Sequence, residues 1–329
     1  MPTNLPPEYF EAEKRYREAS EPREKISALE ALMATIPKHK GTDKLRADLR
    51  KKLSKLREEG ARKRKGGGRS DLYTVERQGA AQVALVGFPN SGKSSLLASL
   101  TNARPVIADF PMATVMPLSG MMPFEDIQFQ LVDLPPIGHE STDGWVSGIL
   151  RNADMLLLVV DLADAPEIQT ELLLEQLTAW RIPLLAKNRE MTSDGIVRPK
   201  TLVLAAAKLD LPEGEEALAR MQALYQEQWH ICGISNTGHT GLEALRSTVF
   251  LSSRIIRVYS KEPGKPGKSD APFTLPQGST VLDLAELIHK DFVTNLKFAC
   301  IWGSAKFDGQ KVQREYPLQD RDIVEIHLK

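Results

Sequence analysis

The run Gly87-Phe88-Pro89-Asn90-Ser91-Gly92-Lys93-Ser94-Ser95 follows the apolar residues Val83-Ala84-Leu85-Val86. Its two glycines let the backbone wrap a phosphate chain with several N–H groups converging. A helix starting where the run ends adds the partial positive charge of its N-terminus. Lys93 is then placed to reach β- and γ-phosphates, and Ser94 to give an oxygen to Mg²⁺. A chance glycine turn is the plain alternative. The Gly, Gly, Lys and Ser identities, in this order after a strand, argue strongly against it.

Three further segments carry chemistry that fits a nucleoside triphosphate. Phe129-Gln130-Leu131-Val132-Asp133 is an apolar strand ending in an acid, and an acid at that place can hold Mg²⁺, usually through water, with a plain strand-end turn Asp as the alternative. Between it and the phosphate loop lies Asp109-Phe110-Pro111-Met112-Ala113-Thr114, whose Thr114 is a candidate metal ligand when a γ-phosphate is present. Leu202–Ala206 runs into Ala207-Lys208-Leu209-Asp210. A buried Asp210 would accept from the N1 and exocyclic amine of guanine, a donor pair that adenine lacks, and the Lys208 stem would cover the base. Ile234-Ser235-Asn236-Thr237 follows a last strand and offers a backbone N–H to guanine O6.

These segments need a scaffold. Short apolar strands at Val83–Val86, Phe129–Val132, Met155–Val160, Leu202–Ala206 and His230–Ile234 alternate with helical stretches such as Leu96–Leu100 and Ile168–Trp180. That alternation predicts an α/β domain with a mostly parallel sheet and helices on both faces, over 71–252. Residues 8–65 lack strand patterning. Ile26, Leu29, Leu32, Met33 and Ile36 form one helical stripe, ended by Pro37. Leu45, Leu49, Leu53 and Leu56 form a second, so 1–70 reads as an antiparallel helical hairpin with a Gly-rich linker. After the turn-rich Lys261–Lys268, residues 253–329 predict a compact α+β module: strands near Phe273–Leu275, Phe298–Trp302 and Ile323–His327, and a helix over Val281–Lys290. His289, on that helix, reads as a packed structural histidine rather than a catalytic one.

Charge and composition narrow the classes. Lys+Arg and Asp+Glu are 43 each, but Lys38–Arg69 holds 14 Lys and Arg against four acids. Such a block on a neutral chain points to a polyanionic partner, with a solvated helix face as the bland alternative. Two cysteines, Cys232 and Cys300, exclude a disulfide framework and fit a reducing compartment. The first residues lack a basic and apolar leader pattern, and no apolar run approaches the roughly 20 residues of a membrane span. A cytoplasmic protein without membrane insertion is the expectation.

The order of these motifs resembles the Obg-related GTPases, and within them the developmentally regulated GTP-binding (DRG) subfamily in its short, prokaryotic-type form. The resemblance runs over nearly the whole chain. Met33–Thr42 and the second helix are similar to the DRG hairpin, and Phe110–Thr114 to the family's first switch. Leu275–Ala285 and Leu318–Val324 are similar to a TGS domain, a ubiquitin-like β-grasp fold. The resemblance implies GTP and GDP binding, slow Mg²⁺-dependent hydrolysis, and contacts with RNA or the ribosome. It also leaves room for a partner protein of the DRG type. In potassium-activated GTPases an Asn at the place of Asn90 helps hold K⁺ against the phosphates. An Asn that merely tolerates an unusual backbone angle, or an activator supplied by another molecule, is the alternative. A binding module with negligible turnover and an ATP-using enzyme are the competing functions.

Three departures from the family pattern stand out. Only about twenty residues, Ile182–Thr201, occupy the place of an inserted domain in longer DRG proteins. Ala207 replaces the Asn of Asn-Lys-x-Asp, an expected loss of about 1–1.5 kcal/mol. The Asp-x-x-Gly motif reads Asp133-Leu134-Pro135-Pro136, and Pro136 has no N–H to give a γ-phosphate. Ile137 stands where many GTPases carry a water-orienting Gln. His139 is a candidate substitute, with an exposed loop histidine as the bland reading.

Overall fold

In the computed structural model, residues 35, 75–104, 116–137, 143–187, 189, 198–265 and 267–329 are described. The expected hairpin and linker over 1–70 (Thr35 apart), the loop Asp109–Thr114 and His139 lie outside them.

Gln82–Val86 (β1) is buried throughout because it is flanked on both sides and covered on both faces. Its neighbours are Ile127–Asp133 (β3) and Met155–Asp161 (β4), both parallel to it. Next to β4 lies Lys200–Ala207 (β6), whose far side carries Leu184–Leu185 (β5) and His230–Gly233 (β7), all parallel. Leu118–Phe124 (β2) pairs antiparallel with β3 and ends the sheet. Alternate residues feed two cores. Ala84 and Val86 join Leu156, Leu158 and Leu204 on one face; Val83 and Leu85 join Leu157, Val203 and Ala205 on the other.

Helices cover both faces, as the alternation predicts. Lys93–Leu100 (α1) contributes Leu96, Leu97 and Leu100 to the second core, with Leu245 and Val249 of a later helix, Leu242–Ser253. Asp143–Asn152 (α2), Pro166–Ala179 (α3) and Gly214–Tyr225 (α4) cover the first through Val146, Ile149, Leu173, Leu177, Ala217 and Met221. Leu242–Ser253 is α5. The sheet is mostly, not wholly, parallel: β2 is the antiparallel exception, and its Gly120 and Pro123 hide it from a propensity reading.

The second sheet runs in the order Gln310–Val312 (β11), Leu296–Trp302 (β10), Ile323–Leu328 (β12), Ile255–Lys261 (β8), Phe273–Pro276 (β9). Only β12 and β8 pair in parallel. Val281–Ile288 (α6) lies on one face with Val281, Leu284 and Ala285 in the core. Its start is a capping box in which Thr280 accepts from the Asp283 N–H and Asp283 accepts from Thr280 N–H. The expected helix over Val281–Lys290 breaks at His289, which is extended and caps Lys290–Asn295 (α7). His289 is therefore exposed, not packed, because its ring accepts from Asp291 N–H at 3.2 Å outside the core.

The two sheets meet at Arg257 of β8. Its side chain is 3% exposed and pairs with Asp320 through Nε at 3.0 Å and Nη2 at 2.7 Å. Across the junction it bonds Asp126 at 3.0 Å and Glu125, both in the β2–β3 turn. The guanidinium lies 4.6 Å from the ring centroid of Phe250, which stacks on Phe124 at 4.9 Å. Tyr259 donates to Asp126, and Arg321 bonds Glu125 at 2.7 Å.

Candidate functional site

The phosphate loop sits between β1 and α1, at the carboxyl end of three parallel strands. At Gly87 an added Cβ would lie 2.4 Å from the Val159 carbonyl and 2.7 Å from Ser91 Oγ, so no larger residue fits. Gly92 has φ +96°, the left-handed region that glycine enters without a Cβ penalty. Asn90 is exposed with φ 60°. Phe88 and Pro89 form the outer wall, and Ser95 follows in the first turn of α1. Lys93 is 6% exposed, and its ammonium donates to the Gly87 carbonyl at 3.1 Å and the Phe88 carbonyl at 2.7 Å. Burial lowers its pKa to about 8, against the opposing attraction of Asp133. A buried cation hydrogen-bonded to loop carbonyls, beside a helix N-terminus, is a receptor for a dense anion. Ser91 Oγ is buried without a hydrogen-bond partner among the described residues, so the cradle keeps spare polar capacity.

Ser94 Oγ donates to Asp133 Oδ2 at 2.5 Å. This hydroxyl and carboxylate, two hard oxygen donors next to a polyphosphate cradle, fit Mg²⁺, which takes few protein ligands and completes its shell with phosphate and water. Downstream of Asp133, the Ile137 N–H donates to the Gly87 carbonyl at 3.3 Å, and the Ile137 side chain is buried in the first core. The side chain after Asp-x-x-Pro is therefore packed into the core and is apolar.

The segments expected to meet the base lie at the ends of β6 and β7, tied together by Leu209 N–H donating to the Ile234 carbonyl at 3.0 Å. Asp210 is exposed rather than buried, because it stands in the turn after β6. Ser235 is buried, but its N–H already donates to the Thr240 carbonyl at 3.0 Å and its hydroxyl accepts from Gly238 N–H at 2.9 Å. Ser235 thus holds the loop closed through these bonds, and Asn236 follows it along the same loop.

Two residues change the sequence reading. Asn236 Nδ2 donates to the Gly92 carbonyl at 3.4 Å, joining the base loop to the phosphate loop. Ala207 lies beside the same glycine, its Cβ 3.8 Å from where a Gly92 Cβ would be, and has no polar side-chain atom. Asp161, at the end of β4, pairs with Lys208 Nζ and accepts from Ala163 N–H at 3.0 Å. Asp161 escaped the sequence reading. Its signal was the same as that of Asp133, an acid closing an apolar strand. Thr114 lies outside the described residues. Lys93, Ser94, Asp133, Gly92 and Asn236 come together through the contacts above, and Lys208 stands over Asp161 at the neighbouring strand end.

A model of the 50S ribosome-binding GTPase family matches residues 82–189, and a TGS-domain model matches 256–328. An uncharacterized GTP-binding protein of Methanocaldococcus jannaschii is 30% identical, over 93% of this chain and 93% of that protein. The Developmentally-regulated GTP-binding protein 2 homolog of Dictyostelium discoideum is 27% identical, over 93% of this chain and 99% of that protein. Among solved structures, the G domain of the T. maritima FeoB iron transporter matches with a TM-score of 0.38 and 27% identity, covering 52% of this chain and 96% of that one. No helix among the described residues is long and apolar enough to cross a membrane.

Proposed function

The chain belongs to the family of developmentally regulated GTP-binding proteins, and from that premise we propose that it hydrolyses GTP slowly with Mg²⁺ and that its nucleotide state governs association with RNA or ribosomal particles. GTP binding and a GTPase domain come with the family. The observation that supports Mg²⁺-dependent hydrolysis is the buried Lys93 ammonium beside the Ser94–Asp133 pair. Mg²⁺ held by Ser94 and Asp133 supplies positive charge to phosphate oxygens when bound. Lys93 donates to the β- and γ-phosphate oxygens, the loop N–H groups orient the chain, and Asp210 selects the base. Thr114 is the proposed γ-phosphate-dependent ligand from the first switch.

Titrating GTP, GDP and ATP tests the base assignment. Asp210→Asn is expected to cut GTP affinity at least about tenfold, the 1.4 kcal/mol of one charge-assisted hydrogen-bond set, and to leave ATP binding unchanged. An undiminished preference for GTP in that variant would remove Asp210 from the base site.

The buried Ile137 and the missing N–H of Pro136 favour a second reading, a nucleotide-dependent binding module with negligible turnover. Single-turnover hydrolysis decides between them. Potassium is the proposed compensating charge, with Asn90 as its ligand. Turnover should then run at least about tenfold faster in K⁺ than in Na⁺, ~1.4 kcal/mol of barrier. Asn90→Gly is the right test, since φ 60° suits glycine and only the side chain is lost. Equal rates in the two salts would dismiss the ion and leave a group supplied by the ribosome or another partner. The basic block over Lys38–Arg69 is the proposed electrostatic contact to RNA.

A further inference from the structure

The carbonyl of Gly92, the residue before Lys93 and Ser94, accepts two hydrogen bonds. Leu96 N–H donates to it at 2.8 Å within the first turn of α1, and Asn236 Nδ2 donates to it at 3.4 Å from the loop after β7. Both sides of the second bond are stiff. The phosphate loop is fixed by its glycines and by the start of α1. The base loop is closed by paired bonds between Ser235 and Thr240, at 3.0 and 3.1 Å. Its root, Ile234, is fully buried and donates to the Ala206 carbonyl of β6 at 2.8 Å.

The amide is kept there at a cost. Asn236 Oδ1 is buried with no hydrogen-bond partner among the described residues. A buried oxygen without a donor loses its hydration and gains nothing in return, so an apolar side chain would serve folding better. Packing does not require an amide either. On the other flank of Gly92, Ala207 is fully buried and offers only a methyl group, 3.8 Å from where a Gly92 Cβ would stand, against 3.5 Å for Asn236 Nδ2.

From this bond we infer that Asn236 is a positioning residue for the nucleotide: it holds the base loop and the phosphate loop at a fixed spacing, so that the two ends of one guanine nucleotide meet sites already in register. The inference deepens the nucleotide binding proposed above and rests on Asp210 as the base site.

A nucleotide is a base and a polyphosphate joined by a ribose. The joined ligand binds far better than its halves only when the two sites are held at the span of the linker. Loops that move independently must be ordered on binding, and that ordering is subtracted from the affinity. Lys93, Ser94 and the loop N–H groups take the polyphosphate end. Asp210 takes the base end, and Leu209 beside it is bonded to Ile234 at the root of the base loop. The Asn236–Gly92 bond runs directly from that loop to the residue preceding Lys93. Its effect therefore shows in the joined ligand and not in either half.

The test titrates GDP, guanosine and tripolyphosphate, each with Mg²⁺, against the full chain and its Asn236→Leu and Asn236→Ala variants. Both variants are expected to weaken GDP about fivefold or more, while guanosine and tripolyphosphate stay within about twofold of wild type. The nucleotide-free Tm of Asn236→Leu should equal or exceed that of wild type, since the unpartnered oxygen is gone. Asn236→Ala repeats the measurement with a side chain that fits any space. Guanosine weakening in step with GDP would make Asn236 a direct base contact and overturn the tie. Tripolyphosphate affinity and Tm falling together with GDP would make it a structural residue of the loop and overturn the tie as well. GDP binding unchanged in both variants does the same. A wild type that takes ADP as tightly as GDP removes the guanine assignment at Asp210. The same split between ADP and its two halves would then uphold the tie without that assignment.

Discussion

Lys93→Ala slows single-turnover GTP hydrolysis by about a thousandfold, ~4 kcal/mol of barrier, and weakens GTP more than GDP. The ammonium is buried, its neighbours are the Gly87 and Phe88 carbonyls, and burial has drawn its pKa down to about 8. The nucleotide-free site thus holds a poorly solvated cation, and a polyphosphate brings the counter-charge. The largest share of that charge develops around the γ-phosphoryl group, which GDP lacks. The same pKa has a signature in protons. A bound polyphosphate raises it, so above about pH 8 GTP binding takes up a proton and GTP affinity falls with rising pH. The folded pKa lies below the ordinary 10.5, so the unfolded chain holds more protons between about 8 and 10.5. Nucleotide-free stability therefore rises with pH across that window. Calorimetry at pH 8.5 in two buffers of different ionisation heat reads the uptake, which should be absent in Lys93→Met. Undiminished hydrolysis in Lys93→Ala, or equal uptake in Lys93→Met, would take Lys93 out of the phosphate site.

The phosphate loop was legible in the sequence because backbone geometry fixes its residue types. Gly87 must be glycine with the Val159 carbonyl 2.4 Å from where a Cβ would be, and such a constraint leaves a mark in the sequence. Continuous apolar strands such as 155–160 were legible because burial on both faces selects apolar residues at every position. β2 was not legible. It is an edge strand, where Pro123 costs no ladder bond on its open side, and Gly120 is needed because Thr101 Oγ1 stands 2.4 Å from its absent Cβ. β8 was passed over because Arg257 interrupts its apolar pattern. Contacts between distant segments left no local signal at all. Asn236 reaches Gly92 across 144 residues, so this tether could be found only in three dimensions. The pairing of Asp161 with Lys208 is of the same kind. Domain limits at 70 and 252 stay the proposed division. The described chain turns from α5 to β8 within Ser253–Ile255.

That turn leads directly to Arg257, whose replacement by Ala should destabilise the junction of the two sheets by about 1–3 kcal/mol, less than for a fully buried pair because its carboxylates stay about a third to a half exposed. Three carboxylates converge on this guanidinium. Asp320 takes it in two parallel bonds from its own sheet, and Glu125 and Asp126 take it from the β2–β3 turn. Without the cation they face one another across the junction, and Phe250 loses the planar group lying on its ring. Arg257→Lys should recover only part of the loss, because an ammonium cannot form the two parallel bonds to Asp320 and still reach the turn. Acid provides the second readout. Burial pushes the Asp126 and Asp320 carboxyls up, but hydrogen bonds from Tyr259 and Arg257 outweigh it at Asp126, and those of Arg257 do so at Asp320, so both stay below the ordinary carboxylate range. Arg257 and then Arg321 hold Glu125 down in the same sense. Carboxyls depressed in the folded state stabilise it above their unfolded values, and that stability is lost as pH falls through the folded ones. Wild type therefore loses junction stability on acidification below about pH 4. Arg257→Ala, whose carboxylates repel instead, loses less, and the gap between the two narrows. Scanning calorimetry from pH 7 to pH 3 measures both effects. A variant within about 0.5 kcal/mol of wild type at pH 7 would reduce the cluster to a surface ion network of little weight.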